Sequence, residues 1–304
     1  MDAHTRPPAW KTLSAFAIIY LVWGSTFLAI RIGVHEVPPF LLAAMRFSVA
    51  GLLLYGWSIA RGEPSPNRRQ WGSISVLAVL LFVIDYGLVF WAEQRVPSGV
   101  TAVMLATIPA YMALAEILFL RTQKLTLRLS VALLIGLGGV AVLVSRSLDL
   151  GGEPIDRLGA VALIISPISW GVASALARKL PLPSSKLMSS GAQMLTGGVY
   201  LAIVSVSLGE FQGFHPAAVS AGAWLSLLYL IVPGSIIAFT AYVWLLHHES
   251  PTKVGTYAYV NPVVAVLLGY LLAGEALGLR TILGTVFILI SVVVITTTKK
   301  PATH

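Results

Sequence analysis

The chain alternates apolar stretches of about twenty residues with short polar breaks, and that rhythm predicts its elements. A hydrocarbon core about 30 Å thick is crossed by about 20 mostly apolar helical residues. Ten runs reach that length, at roughly 11–31, 39–60, 71–92, 97–120, 127–145, 158–178, 187–208, 221–246, 252–273 and 279–298. The breaks carry turn chemistry, as in "HEVPP", "RGEPSPNRRQ", "LDLGGEP" and "PLPSS", where Pro and Gly interrupt helices. No soluble domain fits between the runs. The first run is too long for a signal-peptide core and is followed by Arg31 instead of a small-residue cleavage site, so it is kept as a spanning helix. The expected fold is all-α and integral to the membrane, with ten transmembrane helices.

Composition places these runs in their solvent. Of 304 residues 57% are hydrophobic and 11% charged, whereas a soluble domain carries about a quarter charged residues. The chain belongs in a bilayer. It has no cysteine, which excludes disulfides, a thiol nucleophile and a cysteine-rich metal site. Its formal charge of +8 is unevenly placed. With the runs numbered alternately, 14 of the 20 Lys and Arg fall on the side of both termini: Arg6, Lys11, Arg61, Arg68, Arg69, Arg121, Lys124, Arg128, Arg178, Lys179, Lys186, Lys253, Lys299 and Lys300. The other side holds five, Arg31, Arg95, Arg146, Arg157 and Arg280, and Arg46 lies within a run. By the positive-inside rule both termini are cytoplasmic. The basic charge therefore reports topology, and no nucleic-acid partner is expected.

The text also repeats itself. "WGSTFLAIR" occupies 23–31 and "WGVASALAR" occupies 170–178. Arg46 matches Gln193 at the same offset of 147; Trp91 matches Trp244 and Pro109 matches Pro262 at 153; "LTLR" at 125–128 matches "LGLR" at 277–280 at 152. Two repeats result, 1–148 with five runs and 157–298 with five more. An odd number of spans per repeat makes the second enter the membrane from the opposite side. Inverted repeats are an architecture of secondary transporters, whose substrate site lies near the bilayer midplane between the halves.

The segments "LVWGSTFLAIRIGV", "PPFLLAAMRFSVAGLLL" and "AYVNPVVAVLLGYLLAGEAL" resemble the EamA repeats of the drug/metabolite transporter superfamily, in two copies over nearly the whole chain. The resemblance implies a ten-helix transporter of five-plus-five inverted repeats, often an exporter of metabolites. Within the family the nearest likeness is to aromatic amino-acid exporters of the YddG type, on overall similarity. One departure stands out: Gly274-Glu275, ending the ninth run, aligns with Thr122-Gln123 at the end of the fourth. The acidic residue is present in one copy only.

Charges at depth are the first candidates for recognition. A charged side chain at mid-helix costs about 2.5–3.5 kcal/mol on insertion scales, so it faces a partner or a wet interior. Arg46 and Asp85 each lie about seven residues from the outer end of their runs, roughly 10 Å deep at 1.5 Å per residue. Matched depth predicts an ion pair that gates the outer side of the first repeat; contact with the two ends of a zwitterionic ligand is the other use of the same charges. Glu116, near the cytoplasmic end of its run, is expected to snorkel to the interface.

Aromatic residues sort by depth. Trp10, Trp57, Trp71, Trp91, Trp224 and Trp244 fall where interfacial belts form. Trp23 and Trp170 fall at mid-membrane, where an indole N–H has no lipid partner. Tyr257 shares a helix face with Asn261, and Thr107 with Tyr111, each at i, i+4. With Tyr86 beside Asp85 and Gln193 opposite Arg46, these make the candidate substrate-binding set: an aromatic pocket with a few hydroxyl and amide groups, suited to a flat, partly polar ligand. Packing within the bundle accounts equally for any one of them alone.

Pro109 and Pro262 remove the bonds to the carbonyls of Leu105 and Ala258 and so predict paired bends, candidate hinges in matching runs. Pro167 and Pro233-Gly234 are further candidates. Ala132, Gly136 and Gly139 predict close helix packing. Enzyme chemistry finds no foothold: His4, His35, His215, His247, His248 and His304 lie in breaks or tails, and neither an HExxH nor a GxSxG pattern occurs. No phosphate-cradling GxxxxGK[ST] loop is present, so ATP is not the driver, and no cofactor or metal is expected. The sequence thus points to a multi-pass transporter of the inner membrane that exports amino acids, aromatic ones favoured, by alternating access. Its partners are a small-molecule substrate and the bilayer. An exporter of other metabolites or drugs, and a passive channel, are the rival readings.

Overall fold

The computed structural model describes residues 7–120, 126–144, 155–249, 254 and 257–296. The side chain of Glu116, the pair Thr122-Gln123, and the cations Arg6, Arg121, Lys124, Arg146, Lys253, Lys299 and Lys300 lie outside the described residues. Among the described residues every regular element is a helix. The rods are α1 (Ala9–Val34), α2 (Pro39–Ala60), α3 (Arg68–Ala92), α4 (Ser98–Leu105 and Ile108–Ala115, extended over Glu116–Leu120), α5 (Leu127–Val144), α6 (Arg157–Ala177), α7 (Lys186–Ser207), α8 (Ala221–His248), α9 (Tyr257–Ala273) and α10 (Leu279–Thr296). Seven helices, α1 to α4 and α6 to α8, are long and apolar enough to cross a membrane; α5, α9 and α10 contain shorter apolar stretches. Their outer faces carry exposed large apolar residues such as Leu134, Leu225 and Leu271, as a lipid-facing surface requires.

Sequence explains where the rods start and how they approach. Asn67 and Gln70 form a reciprocal capping box on α3, and Pro39 opens α2, where a missing N–H removes no helical bond. α2 packs most extensively against α7, and α5 against α10. A side chain on Gly51 would run into the backbone of Leu195, and one on Gly198 into that of Ser48. These two contacts are equivalent under the offset of 147. Gly136 abuts Ser291, Gly139 abuts Ile288, and Ser291 Oγ donates to Ala132 O at 2.7 Å, so the small residues of α5 serve close packing as expected.

The repeated Trp-Gly has the same use in both copies. A Cβ on Gly24 of α1 would lie 2.6 Å from Val264 of α9, and one on Gly171 of α6 would lie 2.8 Å from the backbone of Tyr111 on α4. Gly24 and Gly171 are 147 apart, Val264 and Tyr111 153 apart. Only a residue without a side chain permits either crossing.

Three rods are interrupted. Val79–Tyr86 in α3 and Leu230–Ile237 in α8 wind as π-helix, at corresponding places in the two halves. Pro233 accounts for the second; α3 has no proline, and its sequence gave no warning. α4 breaks at Ala106–Thr107, just before Pro109, where Thr107 Oγ1 donates to Met104 O at 2.6 Å. At Pro262 the helix is not broken. α9 continues through it, and beside it the Asn261 amide, oriented to satisfy both groups, donates to Tyr257 O and Tyr20 O at 3.2 Å each, which ties this turn to α1.

Candidate functional site

The candidate residues gather into two neighbouring clusters. In the first, the Trp23 ring of α1 lies 5.2 Å from Tyr257 of α9 and 5.3 Å from Tyr242 of α8, and the two tyrosines are 6.1 Å apart. Trp23 Nε1 donates to Gly234 O at 3.1 Å. The indole thus finds its polar partner in a carbonyl of the π-segment.

In the second cluster, Tyr86 of α3 meets Trp170 of α6 edge-on at 6.1 Å and Phe47 of α2 at 4.7 Å. Asp85 is buried and accepts from Ser166 Oγ of α6 at 2.5 Å. Arg46 is buried and its Nε donates to Ser235 Oγ of α8 at 3.0 Å. The expected Arg46–Asp85 ion pair is not formed: the two side chains turn to different serines, both from the second half, and Asp85 and Ser235 each lie in a π-segment. Gly234 and Ser235 join the clusters, one through its carbonyl to Trp23, the other through its hydroxyl to Arg46.

The remaining candidates lie at the edges. Tyr111 is half-buried, its backbone against Gly171, the residue after Trp170. Thr107 is buried with its hydroxyl committed to its own helix, and Gln193 Nε2 donates to Ser189 Oγ at 2.9 Å. Asn261, as described, links α9 to α1.

Sequence reasoning missed Tyr242, Ser166 and Ser235. Ser166 had a signal, since it precedes Trp170 by four on one helix face; Tyr242 had none. It also missed a charged layer at one end of the bundle. There Glu275 accepts from Ser98 N and Oγ at 2.7 Å each and from Gly99 N at 3.0 Å, and pairs with Arg31 Nε at 3.4 Å. Arg31 also donates to the carbonyls of Glu93 and Val96 at 3.1 and 2.7 Å. Glu93 is fully buried and neither carboxylate oxygen has a hydrogen-bond partner.

Comparison with known proteins bears on this arrangement. The family model of the EamA-like transporter family matches residues 10–145 and again 157–297. The uncharacterised inner membrane transporter YedA of Escherichia coli (strain K12) is 39% identical over 287 residues, covering 94% of this chain and 90% of its own. Protein PecM of Dickeya dadantii (strain 3937) is 27% identical over 276 residues, 90% of this chain and 88% of its own. A protein crystal structure with 22% identity aligns over 95% of this chain and 96% of its own with a TM-score of 0.60, a likeness of fold.

Proposed function

Because the chain belongs to the EamA-like transporter family, we propose that it is a multi-pass inner-membrane secondary transporter that exports amino acids, aromatic ones favoured, by alternating access. The finer reading takes ten spans in two inverted repeats with both termini cytoplasmic, on the 14-to-5 division of Lys and Arg. The Glu275–Arg31 end is then the outer end, closed by the contacts around Ser98.

The observation that carries this reading is the duplicated Trp-Gly. Each tryptophan stands in an aromatic cluster where helices of the two halves meet, and each following glycine lets its helix cross a partner closely. Trp23, Tyr257, Tyr86 and Trp170 offer ring faces; Arg46, Asp85, Gln193, Thr107, Tyr111 and Asn261 supply polar groups or position them. A flat side chain on a polar core fits such walls. Paired irregularities in α3 with α8, and the break in α4, are features that rocking between two states can use.

Counterflow of labelled tryptophan in reconstituted vesicles tests the proposal. Trp23→Ala and Trp170→Ala are each expected to slow tryptophan exchange by about tenfold, equivalent to about 1.4 kcal/mol, with insertion intact. Exchange that does not saturate, or that leucine and tryptophan share equally in wild type and both variants, would favour a channel or a different substrate class.

A further inference from the structure

Arg46 and Asp85 are two buried, opposite charges that do not neutralise each other. Arg46 is 3% exposed, and its Nη1 is enclosed with no acceptor. Its Nε has only the neutral Ser235 hydroxyl. The guanidinium carbon lies 4.8, 5.4 and 5.9 Å from the rings of Phe47, Tyr86 and Phe90. Ring faces attract a cation by about 0.5–2 kcal/mol, less than the several kcal/mol needed to bury an ion, and they accept no directed hydrogen bond comparable to an oxygen's. Asp85 is 2% exposed with the Ser166 hydroxyl as its partner. Among the described residues neither pole forms an ion pair: the Glu93 carboxylate acts on Arg46 only through space and makes no hydrogen bond to it, and Asp85 has the Ser166 hydroxyl alone.

We propose that Arg46 and Asp85 are the two poles of a receptor for a zwitterion, Arg46 taking a carboxylate, Asp85 an ammonium group, with the remainder of the ligand against Tyr86 and Trp170. Tyr86 connects the poles: it follows Asp85 in sequence, its ring lies within cation–π range of Arg46, and it meets Trp170 edge-on. Trp170 follows Ser166 by one helical turn, so the serine that holds Asp85 and the aromatic wall lie on one face of α6. A singly charged ligand would satisfy one pole and leave the other buried and unbalanced. A zwitterion satisfies both without adding net charge.

Each pole is also held across the halves, Arg46 of α2 by Ser235 of α8 and Asp85 of α3 by Ser166 of α6. Relative movement of the halves therefore changes the receptor, which gives a zwitterion the differential affinity needed to shift the conformational equilibrium. The proposal rests on the transporter reading and deepens it, by assigning the polar ends of the substrate independently of its side chain.

Radioligand binding to the purified full chain in lipid nanodiscs tests it with tryptophan, tryptamine, which lacks the carboxylate, and indole-3-propionate, which lacks the ammonium group. Wild type is expected to bind tryptophan at least about tenfold more tightly than either analogue. Arg46→Gln should abolish the preference over tryptamine while keeping that over indole-3-propionate; Asp85→Asn should do the reverse. Arg46→Lys keeps the charge and should keep both preferences in weakened form. If Arg46→Gln does not fold, Asp85→Asn and Arg46→Lys decide between the outcomes. Equal loss of all three ligands in a folded variant, or a wild type that prefers tryptamine, would overturn the receptor. Leucine binding with the same variant pattern but no tryptophan binding would retain it and overturn the aromatic preference; a wild type that binds no zwitterion would overturn both.

Discussion

The two ends of the bundle are fastened differently. At the Glu275 end, three carboxylates reach across to helices other than their own, while Asp156 caps its own α6. Glu275 holds the start of α4; Glu210 accepts from Leu41 N at 2.8 Å and Phe40 N at 3.3 Å at the start of α2; Glu36 binds the backbone and hydroxyl of Ser220, the capping residue of α8, at 2.6 Å each. At the opposite end the described caps are local: Asn67 on α3, Thr126 on α5 and Ser185 on α7. One cross-helix bond there, from Lys179 Nζ to Phe119 O at 2.7 Å, is solvent-exposed.

One motif shows the contrast within a single pattern. "SIARGE" at 58–63 and "SVSLGE" at 205–210 stand 147 apart. Gly62 and Gly209 take the left-handed turn at φ 78° and 72°, and Glu63 N and Glu210 N bond back to Ser58 O and Ser205 O at 3.1 and 3.0 Å. The backbone is the same; the side chains are not. Ser205 Oγ donates to Glu210, which clips α2, whereas Ser58 Oγ and Glu63 Oε2 are buried without partners. Equivalent sequence is latched at one end and unlatched at the other.

The contrast is broken most directly at Glu275. Hydrogen bonds to charged groups contribute about 1.5–3 kcal/mol each, and Glu275 loses three together with its ion pair. Glu275→Ala is expected to lower stability by roughly 3 kcal/mol, read as a drop of several degrees in Tm in detergent. A Tm unchanged within error would remove the latch. The repeated motif gives a smaller, internally controlled effect: Glu210→Gln should destabilise by about 1 kcal/mol, while Glu63→Gln, which removes an unpartnered carboxylate, should be neutral or slightly stabilising. Equal losses at both sites would erase the distinction between the ends.

Acidity sharpens the same comparison. Burial pushes the Glu93 carboxyl well above its ordinary range; Arg31 opposes the shift and Glu275 adds to it. A carboxyl whose folded pKa is raised contributes its stability below the unfolded value and loses it as pH rises through the folded one. The Glu275 end should therefore loosen as pH climbs above the usual carboxylate range, and Glu93→Gln should flatten that dependence in cysteine cross-linking across this end. Glu36 is exposed and is shifted the opposite way, downward by its bonds to Ser220. Its clip is present above the ordinary carboxylate pKa and weakens as pH falls through the lowered value, and Glu36→Gln should give a smaller change than Glu275→Ala, Glu210→Gln or Glu93→Gln.

Much of the architecture was legible because the rules of a membrane interior are strict. Run length, breaks and the duplicated Trp-Gly pointed to apolar rods and to repeated crossings, and the glycines at 24, 51, 171 and 198 each sit where a backbone approaches. The interior was less legible. Arg46 and Asp85 were singled out by the cost of buried charge, and both are buried, but depth alone could not say that they turn to Ser235 and Ser166 and not to each other. The latch residues escaped for another reason. Glu210 and Glu275 lie just past helix ends, where a carboxylate is unremarkable until the helix it caps is known, and Glu275 stood out only as an acid without a counterpart after the fourth run. The second Ser-x-x-x-Gly-Glu was open to reading from the offset of 147 and was overlooked among the longer matches.

The central claim is that the two halves exchange closure between the ends. Spin labels introduced into this cysteine-free chain at Arg95 with Gly213, on the Glu275 end, and at Lys186 with His248, on the other, measure both distances in lipid nanodiscs. Without ligand, the Glu275 end should give a short, narrow distribution and the opposite end a longer, broader one. Tryptophan should shift the two in opposite senses. Ends that widen together, or distances indifferent to tryptophan and to every other zwitterion tested, would contradict the account.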